Sequence, residues 1–315
     1  MNRADSASQE QAAAARSPAT WPPPPMRIGP RLFAWGTRTY VMGIVNVTPD
    51  SFSGDGLLAG GGATAPGAAA ALGATAVVEA AVIRARRMVD EGASILDVGG
   101  ESTRPGHVAV PESEEAARVL PVIAAIHAAL PDVPISVDSA KPSVADAAIV
   151  AGASLINDVW GTSSDDAMAR VAAARGVPMV VMHNRAEPLY ADFAAELIAD
   201  LSAALDRAVE AGVPRENLIV DPGFGFGKTP ELNLSVMREL PALRGLGRPV
   251  LLGTSRKSTL GRLLGGLPAE ERLEATLATT ALGIAGGVDI VRVHDVRANL
   301  RAALIADAIC RGENR

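Results

Sequence analysis

VVEAAVIRARRMVDEGASILDVGG (77–100) holds the pattern that decides the fold. Residues 77–92 carry apolar side chains on one helical face and stop at Gly92, a residue suited to the left-handed turn that ends a helix. SILDVGG (94–100) then gives a short run of branched apolar residues interrupted by Asp97. The same kind of run recurs on both sides. YVMGIVN (40–46) precedes it, and ISVDS (135–139), SLINDV (154–159), PMVVMHN (178–184), LIVDPG (218–223), VLLGTS (250–255) and DIVRVHD (289–295) follow. Continuous rather than alternating hydrophobicity implies strands covered on both faces, as in a parallel sheet. Ala-rich helical stretches over 111–130, 141–152, 164–176, 191–212, 272–286 and 296–312 fall between or after these runs. The repetition predicts an α/β fold, a single-domain (β/α)8 TIM barrel, with a doubly wound open sheet as the main rival.

The rest of the chain fits around that unit. Hydrophobic residues make up 48% of the 315, enough for one large core, which excludes a globally disordered chain. Aromatics are only 3%, so the core must be built from Ala, Val, Leu and Ile. The net charge of −6 and the lack of a long basic run argue against a nucleic-acid binder. One cysteine, Cys310, forms no internal disulfide, which points to a reducing, cytoplasmic setting. No uncharged apolar stretch of about 18 residues occurs, so no membrane span is expected. Residues 1–25, rich in Ala, Ser, Gln and Pro, read as a disordered tail with no targeting pattern, and 26–315 as the barrel domain. Met26 is a second candidate start of translation. RLFAWG and TRTYVMGIVN read as an N-terminal β-hairpin turned at Gly36-Thr37. The Gly/Ala-rich stretch 54–75 reads as a mobile loop, with a helix extension from Ala68 as the alternative.

Nearly every strand ends in a polar residue: Asn46, Asp97, Asp138, Asn157, His183 with Asn184, Asp221, Ser255, and Arg292 with His294. In a parallel barrel these ends converge on the face where barrel active sites lie. Four blocks are more specific: MGIVNVTPDSFSGDG (42–56), DVGGESTRPG (97–106), DPGFGFGKT (221–229) and GTSRKS (253–258). With ISVDS, LINDV, VVMHN and IVRVHDV in order, the chain resembles the dihydropteroate synthase family of pterin-binding barrels over residues 38–310. Other patterns fail. The GKT at 227–229 lacks the glycine a phosphate loop needs, because Pro222 stands there. No GxGxxG follows the first strand. The four histidines, 107, 127, 183 and 294, lack short metal-ligand spacing.

The resemblance implies joining of 6-hydroxymethyl-7,8-dihydropterin diphosphate to 4-aminobenzoate. It places Asp221 on two neighbouring pterin N–H groups, since a carboxylate accepts two donors in parallel. It adds Asp138 and Asn157 along the ring and Lys257 at its carbonyl side, with Asp97 among the substrate-binding strand ends. Arg292 and His294, two apart and so on one face of their strand, neutralise the diphosphate with Arg104 and Thr103. Asn46 supplies one oxygen to Mg²⁺, whose other ligands are water and diphosphate. Ser258 binds the benzoate carboxylate and Phe224 forms an apolar wall beside it. Residues 48–52 and 102–105 build the amine pocket. The implied catalytic set is Arg104, Lys257, Arg292 and His294, and the implied assembly is a homodimer. Two departures stand out: the stretch 57–75 is longer than the usual first loop, and Thr254 replaces a bulkier apolar residue. The alternative functions are a pterin-dependent methyltransferase of the same barrel family, which needs no diphosphate site, and a pterin-binding relative without turnover.

Overall fold

The computed structural model describes residues 21–47, 66–101, 110–161 and 166–312, with the backbone alone over 66–72. A two-stranded antiparallel hairpin, β1 (Met26–Ile28) and β2 (Arg31–Phe33), leads into the first barrel strand, β3 (Tyr40–Asn46). The chain then alternates: α1 (Pro66–Asp90), β4 (Ile95–Gly99), α2 (Glu112–Ala129), β5 (Ile135–Asp138), α3 (Pro142–Val150), β6 (Leu155–Asp158), α4 (Ala167–Arg175), β7 (Met179–Met182), α5 (Phe193–Glu210) and β8 (Leu218–Asp221). It continues through α6 (Pro230–Leu243), β9 (Leu251–Leu252), α7 (Ser258–Leu263), α8 (Leu273–Ala285), β10 (Ile290–Val293) and α9 (Val296–Cys310).

β3 to β10 form one sheet of parallel strands in the order β8-β7-β6-β5-β4-β3-β10-β9. A parallel bridge between Val220 and Val250 joins β8 to β9 and closes the barrel. That closure decides against an open doubly wound sheet.

Two cores follow from the closure. Val45, Leu96, Val98, Ile135, Val137, Ile156, Val181, Val220 and Val291 face outward and pack with the helices. Tyr40, Met42, Ile95, Leu155, Val180, Ile219, Leu251 and Ile290 fill the interior, closed below by Met26, Ile28, Phe33 and Trp35. Burial on both faces is why the strands read as unbroken apolar runs.

Three expectations change. The hairpin turns at Gly29-Pro30 and lies wholly before Tyr40, which belongs to the barrel itself. The helix expected from residue 77 begins at Pro66, so the loop reading of 54–75 fails from 66 onward. Proline suits the first helical turn and alanine propensity carries the segment through Gly67 and Gly73. The helix α6 lies outside the predicted helical stretches; Thr229 caps it, accepting from Leu232 N at 3.3 Å, and Pro230 opens it. Residues 1–20 and 48–65 lie outside the described residues, as does most of the tail expectation.

Candidate active site

The upper layer of the barrel interior is polar. A step of two residues along a strand keeps the same face, so Asp97 stands above Ile95, Asn157 above Leu155, Asp221 above Ile219 and Arg292 above Ile290. Register aligns them further: Gly99 pairs with Asp138, and Asp138 with Asn157. Asp97, Asp138, Asn157 and Asp221 are all buried.

Arg292 organises this layer. Its Nε donates to Asp97 Oδ2 at 2.6 Å, and its Nη2 donates to Asp138 Oδ2. Asn157 Nδ2 donates to the same Asp97 oxygen at 3.3 Å. Asp97 Oδ1 and Asp138 Oδ1 are buried and have no hydrogen-bond partner among the described residues. Burial works against the Arg292 cation, but Asp97 and Asp138 outweigh it and hold its pKa above the ordinary value. Burial lifts Asp138 to about 7, with Arg292 opposing and Asp97 reinforcing the rise. Arg292 thus reaches across strands, while the two aspartates near it in sequence are engaged elsewhere: Asp289 lies 3.6 Å from Arg311 and Asp295 accepts from Arg256.

Asp221 Oδ1 accepts the Gly223 N–H at 2.7 Å, and burial raises its pKa. Lys257 precedes α7, donates from Nζ to the Phe224 carbonyl at 2.8 Å and stands 3.7 Å from the Phe226 ring centroid. Burial brings its pKa down to about 7, against the pull of Asp221. Phe224 itself is 1% exposed within the outer core, and the ring of Phe226 lies against Lys257. Ser258 is exposed as the first residue of α7. His294 follows β10; its N–H donates to Ser255 Oγ at 3.1 Å and its Nδ1 lies 2.9 Å from the same oxygen. Ser255 Oγ thus holds both the backbone and the ring of His294. Asn46 ends β3 half-buried, paired with Gly99. Thr103 and Arg104, like residues 48–52, lie outside the described residues.

Sequence reading missed two supports. Arg256 adopts φ 59°, a left-handed conformation that costs a non-glycine residue about 1–3 kcal/mol. It is held there by Asp295, with contacts of 3.1 and 2.7 Å, and by Thr276, which accepts its N–H at 3.2 Å. That turn presents Lys257. Lys141 bridges Glu101, at the root of the second loop, and the buried Glu115. Nothing in the local sequence signals either pairing, since the partners lie on different elements.

The family model for pterin binding enzymes matches residues 42–294. A dihydropteroate synthase from Clostridium beijerinckii is 48% identical over 287 residues, covering 91% of this chain and all of that one. The chain belongs to the dihydropteroate synthase family. Within that family, a Clostridium difficile dihydropteroate synthase solved in the presence of pteroic acid superposes with a TM-score of 0.79 at 45% identity, covering 89% of this chain and 99% of that one. A Xanthomonas albilineans dihydropteroate synthase solved with 4-aminobenzoic acid gives 0.80 at 41%, covering 91% and 98%. Family membership and barrel closure thus agree, and Asp97, Asp138, Asn157, Asp221 and Arg292 converge on one end of the barrel.

Proposed function

We propose that this chain condenses 6-hydroxymethyl-7,8-dihydropterin diphosphate with 4-aminobenzoate, releasing 7,8-dihydropteroate and diphosphate. The amine nitrogen forms a bond to the pterin methylene carbon, the carbon–oxygen bond to diphosphate breaks, and the amine gives up one proton. The observation that carries the site reading is the buried layer of acceptors, Asp97, Asp138 and Asp221, ringed by Arg292 and Lys257. A pterin edge is rich in N–H donors, and unpartnered buried carboxylate oxygens are costly until such donors reach them. Asp221 takes two donors of the pyrimidine edge. Asp138 and Asn157 hold the ring, and Lys257 meets its carbonyl. Asp97 holds Arg292 and Asn157 in place.

The leaving group is met by His294, by Arg104 and Thr103 of the second loop, and by Arg292 through Nη1, since Nε and Nη2 are engaged. The amine is neutral at pH 7, so leaving-group stabilisation does more than base catalysis. Asn46 offers a hard amide oxygen, which suits Mg²⁺, and among the described residues no group of three or more His, Cys, Asp or Glu competes for such an ion. Bound Mg²⁺ supplies charge neutralisation on the diphosphate oxygens. Ser258 and Phe226 border the benzoate. Leu282 of α8 and Leu304, Ile305 and Ile309 of α9, all exposed on two helices that pack together, suit a homodimer. Cytoplasmic residence is in keeping with the free Cys310 and with the absence, among the described residues, of a helix long and apolar enough to cross a membrane.

The test is diphosphate release from the pterin diphosphate ester. Release that requires 4-aminobenzoate is expected. Release indifferent to the amine, or no turnover with tight pterin binding, contradicts the reading, as does methyl transfer from a methylated pterin.

A further inference from the structure

Lys228 lies at the far end of the turn that begins at Asp221, and the proposed reaction gives it no part. Its Nζ is surrounded by acceptors: His183 Nδ1 at 2.9 Å and the carbonyl oxygens of Gly223 at 3.0 Å, Phe226 at 3.0 Å and His183 at 3.2 Å. His183 is fully buried, and its Nε2 is 3.0 Å from Asp200 Oδ2. A carboxylate only accepts, so Nε2 carries the ring proton and Nδ1 offers its lone pair to Lys228. Burial, then the Lys228 charge, lowers His183 to about 4, so the ring is neutral. Asp200 is fixed in turn by Arg185 Nε at 2.8 Å. An ammonium with three N–H groups serves this shell of acceptors, one of them shared; burial opposes the charge and brings Lys228 to about 7.

The turn is pressed onto the β7–α5 connection. Gly223 has φ +69° and Gly227 φ +54°; a Cβ would stand 1.9 Å from the His183 carbonyl oxygen at the first and 2.2 Å from that of Arg185 at the second. No other residue type fits either place. The same turn carries the Gly223 N–H that orients Asp221 Oδ1, the Phe224 carbonyl that accepts from Lys257, and the Phe226 ring beside Lys257. Lys228 therefore gathers the carbonyls of a turn whose remaining groups set two site residues.

We propose that Lys228 is a positioning residue for Asp221: aimed by the Asp200–His183 pair, it holds the turn 221–227 so that the Asp221 carboxylate meets the pterin edge. This rests on the function proposed above.

The test uses Lys228→Met, which keeps the length and removes every donor. The expected result is a rise of about tenfold in both KM and Kd for the pterin diphosphate, the effect of one lost charge-assisted hydrogen bond. KM for 4-aminobenzoate should rise less than KM for the pterin diphosphate, because Phe226 of the same turn gives the benzoate only an apolar border. Lys228→Arg, which keeps donors, should recover part of the pterin affinity. In a double-mutant cycle, Asp221→Asn should cost less in the Lys228→Met background than in the wild type. A role in stability alone would lower Tm and leave pterin affinity and additivity intact, which overturns the proposal. His183→Gln gives the same reading should Lys228→Met fail to fold: weakened pterin binding is expected, and unchanged binding overturns it. If Asp221→Asn weakens pterin binding and Lys228→Met does not, the proposal alone falls. If Asp221→Asn leaves binding unchanged, the site reading falls and takes the proposal with it.

Discussion

At the N-terminal end of the barrel interior, Phe33, Trp35 and Tyr40 close on one another with ring centroids 4.7 to 5.8 Å apart, beneath Ile95, Leu155, Ile219 and Ile290. At the C-terminal end, two residues further along the same strands, Asp97, Asn157, Asp221 and Arg292 take their places. The unpartnered buried atoms differ as well. Among the described residues they include the carboxylate oxygens Asp97 Oδ1 and Asp138 Oδ1 at the upper end, and N–H donors of Trp35, Arg244 and Arg248 at the lower. The upper end thus keeps acceptors in reserve for a donor-rich ligand. The lower end gains stability through apolar burial. One barrel divides stability and recognition along its axis, in line with the general rule for this architecture.

Three measurements would break or sharpen that division. Phe33→Ala empties the lower plug and should cost about 3–5 kcal/mol of stability by denaturant unfolding, with KM values unchanged within about twofold. A pterin KM that moves with it would show that the two ends are not separable. His183 comes next. Its pKa is depressed to about 4, so the folded state binds fewer protons than the unfolded chain between pH 6.5 and 4. The stability this gives is fully present above about pH 6.5 and is lost as the pH falls through 4. The groups facing the ring are Asp200, Lys228, Arg185 and Tyr190. Between pH 7 and 4 the wild type should lose up to about 3 kcal/mol more stability than His183→Gln. Parallel curves would mean that the imidazole takes up its proton in the fold as readily as in the unfolded chain. The smallest effect is at the upper end. The Asp138 pKa is raised to about 7, so its contribution is present below about pH 3.8 and declines as the pH rises through 7. Asp138→Asn should therefore gain up to about 2.5 kcal/mol relative to the wild type from pH 5 to 8, while its pterin affinity falls about tenfold. A variant that is both less stable and equally active would reverse the roles of the two ends.

Much of this was legible in the sequence, for physical reasons. Strands such as LIVD and ISVD announce themselves because both faces are buried and the last residue is polar, so Asp138 and Asp221 could be placed on one barrel face before any coordinates. Partner choice was not legible. Arg292 reaches Asp97 and Asp138 across the barrel, 195 and 154 residues away in the chain, and strand stagger decides which carboxylates it meets. The start of α1 was hidden because Gly/Ala sequence has propensity but no apolar period. α6 was there to be read in Thr229-Pro230. Lys228 was seen only as a failed phosphate-loop lysine, since its partners His183 and the turn carbonyls come together only in the fold. The hairpin was misplaced because Tyr40 looks alike as a hairpin strand and as a barrel strand.

The most direct measurement is calorimetric titration of the wild type and of Asp221→Asn with 6-hydroxymethyl-7,8-dihydropterin diphosphate, with thermal unfolding of both. An amide offers one acceptor and one donor to two pterin N–H groups, so about 2–4 kcal/mol of binding should be lost, or about 30- to 1000-fold in affinity. Tm should hold or rise, because a buried carboxylate with a raised pKa is being removed. Equal pterin affinity in the two proteins would contradict the account, whatever happens to Tm.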